Sequence, residues 1–429
     1  MNYKGLYKKG FWTLVHRTIG AVFTFVSTLY FARLLGAAEF GLFSLGLTIV
    51  SITSVIARAG IDNVVLKQVA AHQPDESEVV NGYIYYSMLL VAIIGLFISL
   101  MLWSLSDVLS NYLFSKPQLD EVLRAFSLVI IPMSLVFIFS EINKALGLPE
   151  YSAFFQTVFP PAVTLGIVVV LSSSQKITLS ILIGGVSIGY ISSTLVFLIG
   201  LKKHLFKARK TQIRYWYLLK QSFPMLLVSS GALVMAWSDT IILGIYSAAT
   251  DVGIYSAASR TVMVTVLILI AVNSVTAPRY ARLYKEGDIK GIAVLAQNSS
   301  AILFFSVLFP TTILLFYPDW VMHWFGTGYV AGSSILKVLA IGQFVNVTCG
   351  PVGCLLMMTG KENKFRNILF LTAVINIILS IFLVKKLGVI GVAYGTAFSV
   401  TLWNVLATWE VRRHLGFWTV LPKFTISER

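Results

Sequence analysis

The sequence predicts an all-α integral membrane protein in which twelve transmembrane helices form two parallel-repeat six-helix lobes around a central cavity. Three observations carry that prediction. Apolar residues make up 57% of the 429 residues and charged residues only 12%, with a mean hydropathy of +0.83; a soluble domain carries about 25% charged residues. The apolar residues gather into long runs, most close to the ~20 residues that a helix needs to cross ~30 Å of hydrocarbon. Those runs fall into two copies of one six-run pattern. Open sheets would leave backbone edges unpaired in lipid, so the runs are helices.

The first lobe is expected over residues 1–200, with spans at 11–33, 40–59, 80–105, 121–141, 152–172 and 178–200. A basic linker over 201–221 leads to a second lobe over 222–429, with spans at 222–245, 253–275, 299–316, 334–357, 366–384 and 388–409. Span 1 is no cleaved signal peptide by this reading, because His16 and Arg17 interrupt its apolar stretch and the pattern recurs internally. Spans 6 and 12 each carry a close-packing GxxxG, Gly185 with Gly189 and Gly391 with Gly395. Cys349 and Cys354 both fall in span 10 and suggest neither a disulfide framework nor a metal site.

A net charge of +15 would suit a nucleic acid, but its distribution argues for none. With Lys4, Lys8 and Lys9 placed in the cytoplasm, most of the 33 Lys and Arg fall in cytoplasmic stretches. The opposite loops hold only Arg33, Lys116, Lys176, Lys385 and Lys386. This is the positive-inside asymmetry, and it puts both termini in the cytoplasm of a cell membrane. The dense run Lys202 to Lys210 reads as an orientation anchor beside anionic membrane lipids.

Shifting the chain by 212 residues lays Glu39-Phe40-Gly41-Leu42-Phe43-Ser44 on Asp251-Val252-Gly253-Ile254-Tyr255-Ser256. A shift of 213 lays Val122-Leu123-Arg124 on Ile335-Leu336-Lys337, and Gly147 on Gly360. Matches in consistent register argue for duplication. An even number of spans per copy points both copies the same way, as a parallel repeat about an axis along the membrane normal.

Polar stripes mark faces that avoid lipid: Thr13, Arg17, Gly20, Thr24 and Ser27 in span 1, then Ser44, Thr48, Ser51, Arg58 and Asp62 in span 2. Two readings stay open, close helix packing with hydroxyls bonded to their own backbone, or a wet lumen. Ionisable groups in or at the edges of spans are Arg17, Arg58, Asp62, Arg124, Glu141, Asp239, Arg260 and Lys337. A charge at the bilayer centre costs about 2.5–3.5 kcal/mol on insertion scales, so each requires a reason. Arg58 and Asp62, four apart, suit a pair, and Asp239 with Arg260 could pair across the hairpin of spans 7 and 8. Arg124 and Lys337 can snorkel from the outer ends of spans 4 and 10. Arg17 has no acidic residue near it before Glu39. Cations outnumber acids inside the spans, and guanidinium groups grip phosphate oxygens in a bidentate fork. The candidate ligand-binding residues are therefore Arg17, Arg58, Arg124, Arg260 and Lys337, and the ion-coupling candidates are Asp62, Asp239 and Glu141.

No phosphate-binding glycine loop, nucleophile elbow or cluster of metal ligands appears, and no cytoplasmic loop is long enough for a nucleotide-binding domain. The expected protein is no enzyme and carries no cofactor. A proton or sodium gradient, the membrane potential or the substrate's own gradient would have to power it.

Arg33-Leu34-Leu35-Gly36 followed by Glu39-Phe40-Gly41-Leu42-Phe43 resembles the first hairpin of the polysaccharide biosynthesis transporters, the Wzx-type flippases. Asp239-Thr240-Ile241-Ile242-Leu243-Gly244 before Val252-Gly253-Ile254-Tyr255-Ser256-Ala257 resembles their seventh and eighth helices, and Gly360-Lys361-Glu362-Asn363 their turn before helix 11. The resemblance spans the chain and reaches the superfamily of multidrug antiporters and lipid II flippases. It implies two lobes in a V, alternating access, and an oligosaccharide on a polyprenyl pyrophosphate as substrate. A polysaccharide polymerase and glycosyltransferases are the partners it implies. Twelve spans depart from the fourteen usual for lipid II flippases. The rival expectations are an ion-coupled exporter of small cationic or amphipathic compounds and a cargo-free membrane scaffold.

Overall fold

The computed structural model describes residues 3–72, 77–207, 222 and 235–420, and everything described is helix, turn or short connection. Among the described residues nine helices are long and apolar enough to cross a membrane. The number is ten if Leu119–Ser127 and Ile130–Ala145, bent by 47°, count as one span. The protein is a multi-pass membrane protein.

The chain divides into two compact units, Met1–Ser230 with Ala248–Gly253, and Gly231–Ser247 with Ile254–Arg429. In the first, α1 (Tyr3–Arg58) is broken at Gly36 (φ 73°, ψ 172°). Its Lys9–Arg58 stretch is 50 residues long, about twice what one crossing needs. A positive φ there is open to glycine at little cost, so one residue does the work of the loop expected between 33 and 40. A second break follows at Ala59 and Gly60 (φ 48° and 79°), after which α2 (Ile61–Ala71) turns its apolar face inward. Ile61, Val64, Val65 and Val69 of α2 pack with Ile84 and Val91 of α3 (Ser77–Val108) and Phe139 and Ile142 of α5 (Ile130–Ala145). The bent α4 (Leu119–Ser127) precedes α5, and α6 (Pro149–Ser172) and α7 (Leu179–Lys207) complete the unit. Of the predicted basic linker, 201–207 form the end of α7, and the rest lies outside the described residues, as does most of the first half of predicted span 7.

The second unit contains the helical residues 235–246 (α8), most of α9 (Ala249–Lys285), α10 (Ile289–Phe316) and the short α11 (Pro318–His323). The predicted tenth span is broken into α12 (Ser333–Thr348) and α13 (Val352–Met358) at Gly350 (φ 81°) and Pro351. The unit closes with α14 (Glu362–Leu387) and α15 (Val389–Leu415). Tyr280, Ile292, Leu355, Ala407 and Val411 form its core near the C-terminal end of α15.

Both GxxxG motifs act as close-packing seams. A Cβ on Gly189 would stand 2.6 Å from the Pro160 carbonyl oxygen, and one on Gly395 2.7 Å from Ser380 Oγ. Each motif therefore lies on the helix just before its own. The tightest approach joins the repeated turns inside the first unit. A Cβ on Gly41 would overlap the Ala249 carbonyl, and one on Gly253 the Ala37 carbonyl. The 212-residue shift maps Ala37 onto Ala249 and Gly41 onto Gly253, so this contact is self-complementary.

Candidate functional site

The second unit buries one carboxylate among neutral donors. Asp239 sits on α8 with 7% of its surface exposed. Tyr255, from the start of α9, donates its hydroxyl to Asp239 Oδ2 at 2.7 Å, and Thr396 of α15 donates to the same oxygen at 2.7 Å. Asn376 of α14 donates its amide to Oδ1 at 3.1 Å and to Ser238 Oγ at 3.2 Å. Ser380 donates to the Asn376 carbonyl oxygen at 3.4 Å, fixing which way that amide faces. Four helices meet at the site, and Tyr255, Asn376 and Ser380 are themselves buried.

The local sequence explains this placement. A carboxylate in a span needs donors that lipid cannot supply. Asn376 and Ser380 lie one turn apart on one face of α14, and Gly395 lets α15 approach Ser380 closely enough to bring Thr396 in. Among the described residues its three hydrogen bonds come from uncharged groups, and the pairing with Arg260 that the sequence left open is not among them. A sodium ion entering here would find oxygens on Asp239, Thr396 and, with its amide turned, Asn376. A proton needs Asp239 Oδ2 alone. Either exchange changes the charge of a buried site whose hydrogen-bond partners among the described residues carry none.

The other two coupling candidates are held by cations. Asp62 Oδ2 takes a 2.9 Å ion pair from Arg58, and Glu141 takes one of 2.5 Å from Lys144. Arg58 itself is 9% exposed, also donates to the Ser54 carbonyl at 3.2 Å, and lies 4.3 Å above the Phe137 ring. It bridges the α1–α2 break, so pairing, the alternative raised by its spacing, is what the structure holds. Arg124 is exposed and bound to Asp120 at 3.0 Å, with Trp103 beside it. Lys337 is exposed on α12, and Arg260 is half-buried on α9. Arg17 is exposed on α1 and makes no hydrogen bond or ion pair among the described residues. Its neighbours are engaged: Lys9 donates to the Gly147 carbonyl at 2.6 Å, and His16 Nδ1 lies 3.0 Å from that of Glu150. No hydrogen bond or ion pair joins Arg17, Arg58 and Arg124 to one another.

The hydroxyls of the polar stripes follow the packing reading. Thr13, Thr24, Thr48 and Ser51 each donate to the carbonyl four residues back, while Ser27 and Ser44 are buried. The residues that sequence reasoning missed are Tyr255, Asn376 and Thr396. The available signal was an amide inside an apolar run, since such a group must find a partner within the protein.

Comparison with known proteins bears on all of this. The profile of the polysaccharide biosynthesis protein family matches residues 6–284, and that of the MatE family matches 224–382. The chain is 24% identical to a probable low-salt glycan biosynthesis flippase, Agl15, of Haloferax volcanii, over 90% of this chain and 79% of that one. It is also 24% identical to a putative O-antigen transporter of Shigella flexneri, over 95% and 97% of the two chains. A solved structure of the lipid II flippase MurJ in an inward closed conformation superposes with a TM-score of 0.75 at 16% identity. It covers 95% of this chain and 87% of that one. With a family profile matching well over half of its length, the chain belongs to the polysaccharide biosynthesis protein family, as a membrane transporter.

Proposed function

We propose that this protein is a flippase that moves an oligosaccharide linked to a polyprenyl pyrophosphate from the cytoplasmic to the outer leaflet of the cell membrane. Its twelve spans work as two six-helix lobes by alternating access, with both termini in the cytoplasm. The family assignment and the relatives named as an O-antigen transporter and a glycan flippase support the substrate class. The observation that carries the mechanism is the Asp239 centre, a buried acid held, among the described residues, by uncharged donors from three other helices. A proton or sodium ion taken up there neutralises Asp239 and one released restores its charge, and that alternation biases the two states. Arg17, unengaged among the described residues, meets the pyrophosphate. The three other arginines and Lys337 contribute through the field they set up rather than as the first contact.

The test is the pool of lipid-linked oligosaccharide in a strain lacking the protein. Accumulation of one polyprenyl-linked glycan on the cytoplasmic face is expected, and its mass identifies the sugar. An unchanged pool in a strain with no compensating transporter refutes the reading. A second reading, an ion-coupled exporter of small cationic or amphipathic compounds, draws on the MatE match, which contains Asp239 and Asn376. It requires drug susceptibility in the same strain with the glycan pool unaltered.

A further inference from the structure

The C-terminal end of α15 carries two arginines that the proposed transport cycle does not use. Arg412 and Arg413 are exposed, and among the described residues neither has a carboxylate within ion-pair distance. Glu410, the nearest acid along the helix, is itself buried and pairs with neither. Each guanidinium is instead backed by a tryptophan: Arg413 lies 5.7 Å from the Trp409 ring and Arg412 4.8 Å from the Trp418 ring.

The second pair is built by a fold-back of the chain. Gly416 (φ 83°) ends the helix in the left-handed region and reverses direction. Phe417 then packs on the core around Tyr280 and Leu355. Gln297 donates to the Trp418 carbonyl at 3.0 Å. Thr419, 1% exposed, donates to the Cys349 carbonyl at 3.1 Å, at the break between α12 and α13. These contacts pin Trp418 beneath Arg412.

Depth identifies the ligand. The 27 residues of α15 span about 40 Å, which exceeds the ~30 Å hydrocarbon core and approaches the ~40–45 Å that includes headgroups. The last turn therefore stands at headgroup level, where tryptophans also favour the interface. A guanidinium stacked on an indole keeps its N–H fork free in the ring plane for a phosphate.

We propose that Arg412 and Arg413, with Trp409 and Trp418, form a binding site for the phosphate of an anionic phospholipid of the bilayer. The site is separate from the transported substrate. The experiment uses the full-length protein in nanodiscs of phosphatidylcholine mixed with phosphatidylglycerol, with retained lipids counted by native mass spectrometry. Preferential retention of phosphatidylglycerol is expected. Arg412→Gln and Arg413→Gln should each weaken it about 5-fold, the effect of one cation near an anionic surface. Thr419→Val, which frees the strap, should weaken it while leaving both arginines in place. Equal retention by the double arginine variant overturns the proposal. So does displacement by millimolar inorganic phosphate, which would mark a free-anion site, or by added polyprenyl pyrophosphate, which would assign the arginines to the substrate. These readouts stand apart from transport, so the site and the flippase reading can fail independently.

Discussion

Replacing Asp239 with Asn separates coupling from folding. Asparagine has the same shape and presents one acceptor and one amide donor. Its carbonyl can face Asn376, which donates at 3.1 Å, while its amide faces the Tyr255 and Thr396 hydroxyls, both 2.7 Å from the present Oδ2. Those hydroxyls rotate and accept as readily as they donate, so no buried group is orphaned. Removing the charge gives up the extra strength of three charge-assisted hydrogen bonds, about 1 kcal/mol each. It also removes the ~2.5–3.5 kcal/mol cost of a charge in a span. The two nearly cancel, and the variant should fold within ~1 kcal/mol of the native protein. Transport should respond very differently. With no charge to exchange, translocation in proteoliposomes should become independent of an imposed proton or sodium gradient, and the glycan pool should accumulate as in the deletion strain. A correctly inserted variant that still responds to the gradient refutes the coupling role of Asp239. Asp239→Ala is the poorer probe, because the buried Tyr255 and Asn376 donors lose their acceptor at about 1–3 kcal/mol each and the protein is expected to be strongly destabilised.

Arg17→Ala should leave membrane insertion intact and thermal stability within ~0.5 kcal/mol, as for an exposed side chain without partners among the described residues, yet abolish glycan turnover in the complementation assay. Arg58→Ala strands Asp62, whose side chain is 19% exposed, and should cost about 3 kcal/mol in thermal unfolding. The Arg58→Ala/Asp62→Ala pair should recover much of that loss, and a double-mutant cycle measures how much. Gly41→Ala and Gly253→Ala each drive a methyl into a carbonyl of the opposing turn. Each should destabilise by ~1–3 kcal/mol and lower the yield of folded protein on size-exclusion chromatography. Gly10→Ala, with open space around its Cβ, is the control.

Hydropathy located the helices but not their ends. Predicted span 8 stops at 275, whereas α9 continues to Lys285 through Arg279 and Arg282. Predicted span 9 begins at 299, whereas α10 starts at Ile289. A transfer scale detects lipid, and a helix that has left the bilayer is invisible to it. The break at Gly350 was similarly hidden inside a predicted span, and that at Gly36 was expected as a loop rather than one residue, since a single glycine with positive φ needs no run of turn residues. At the site, Asp239 was legible because a charge in an apolar run demands an explanation. Its partners were not, because Thr396 lies 157 residues away and Asn376 137. Only packing shows which of many span hydroxyls and amides reaches it. The reverse held for Arg58 and Asp62, whose spacing of four pointed to the pair that the structure forms across the α1–α2 break.

The crossing of the repeated turns has a consequence for the history of the gene. Each glycine is held against a carbonyl supplied by the other copy. A side chain gained in one copy collides with the other, and neither can drift alone. The longest of the repeated fragments, Glu39 to Ser44 and Asp251 to Ser256, contains the glycines at which the two turns touch.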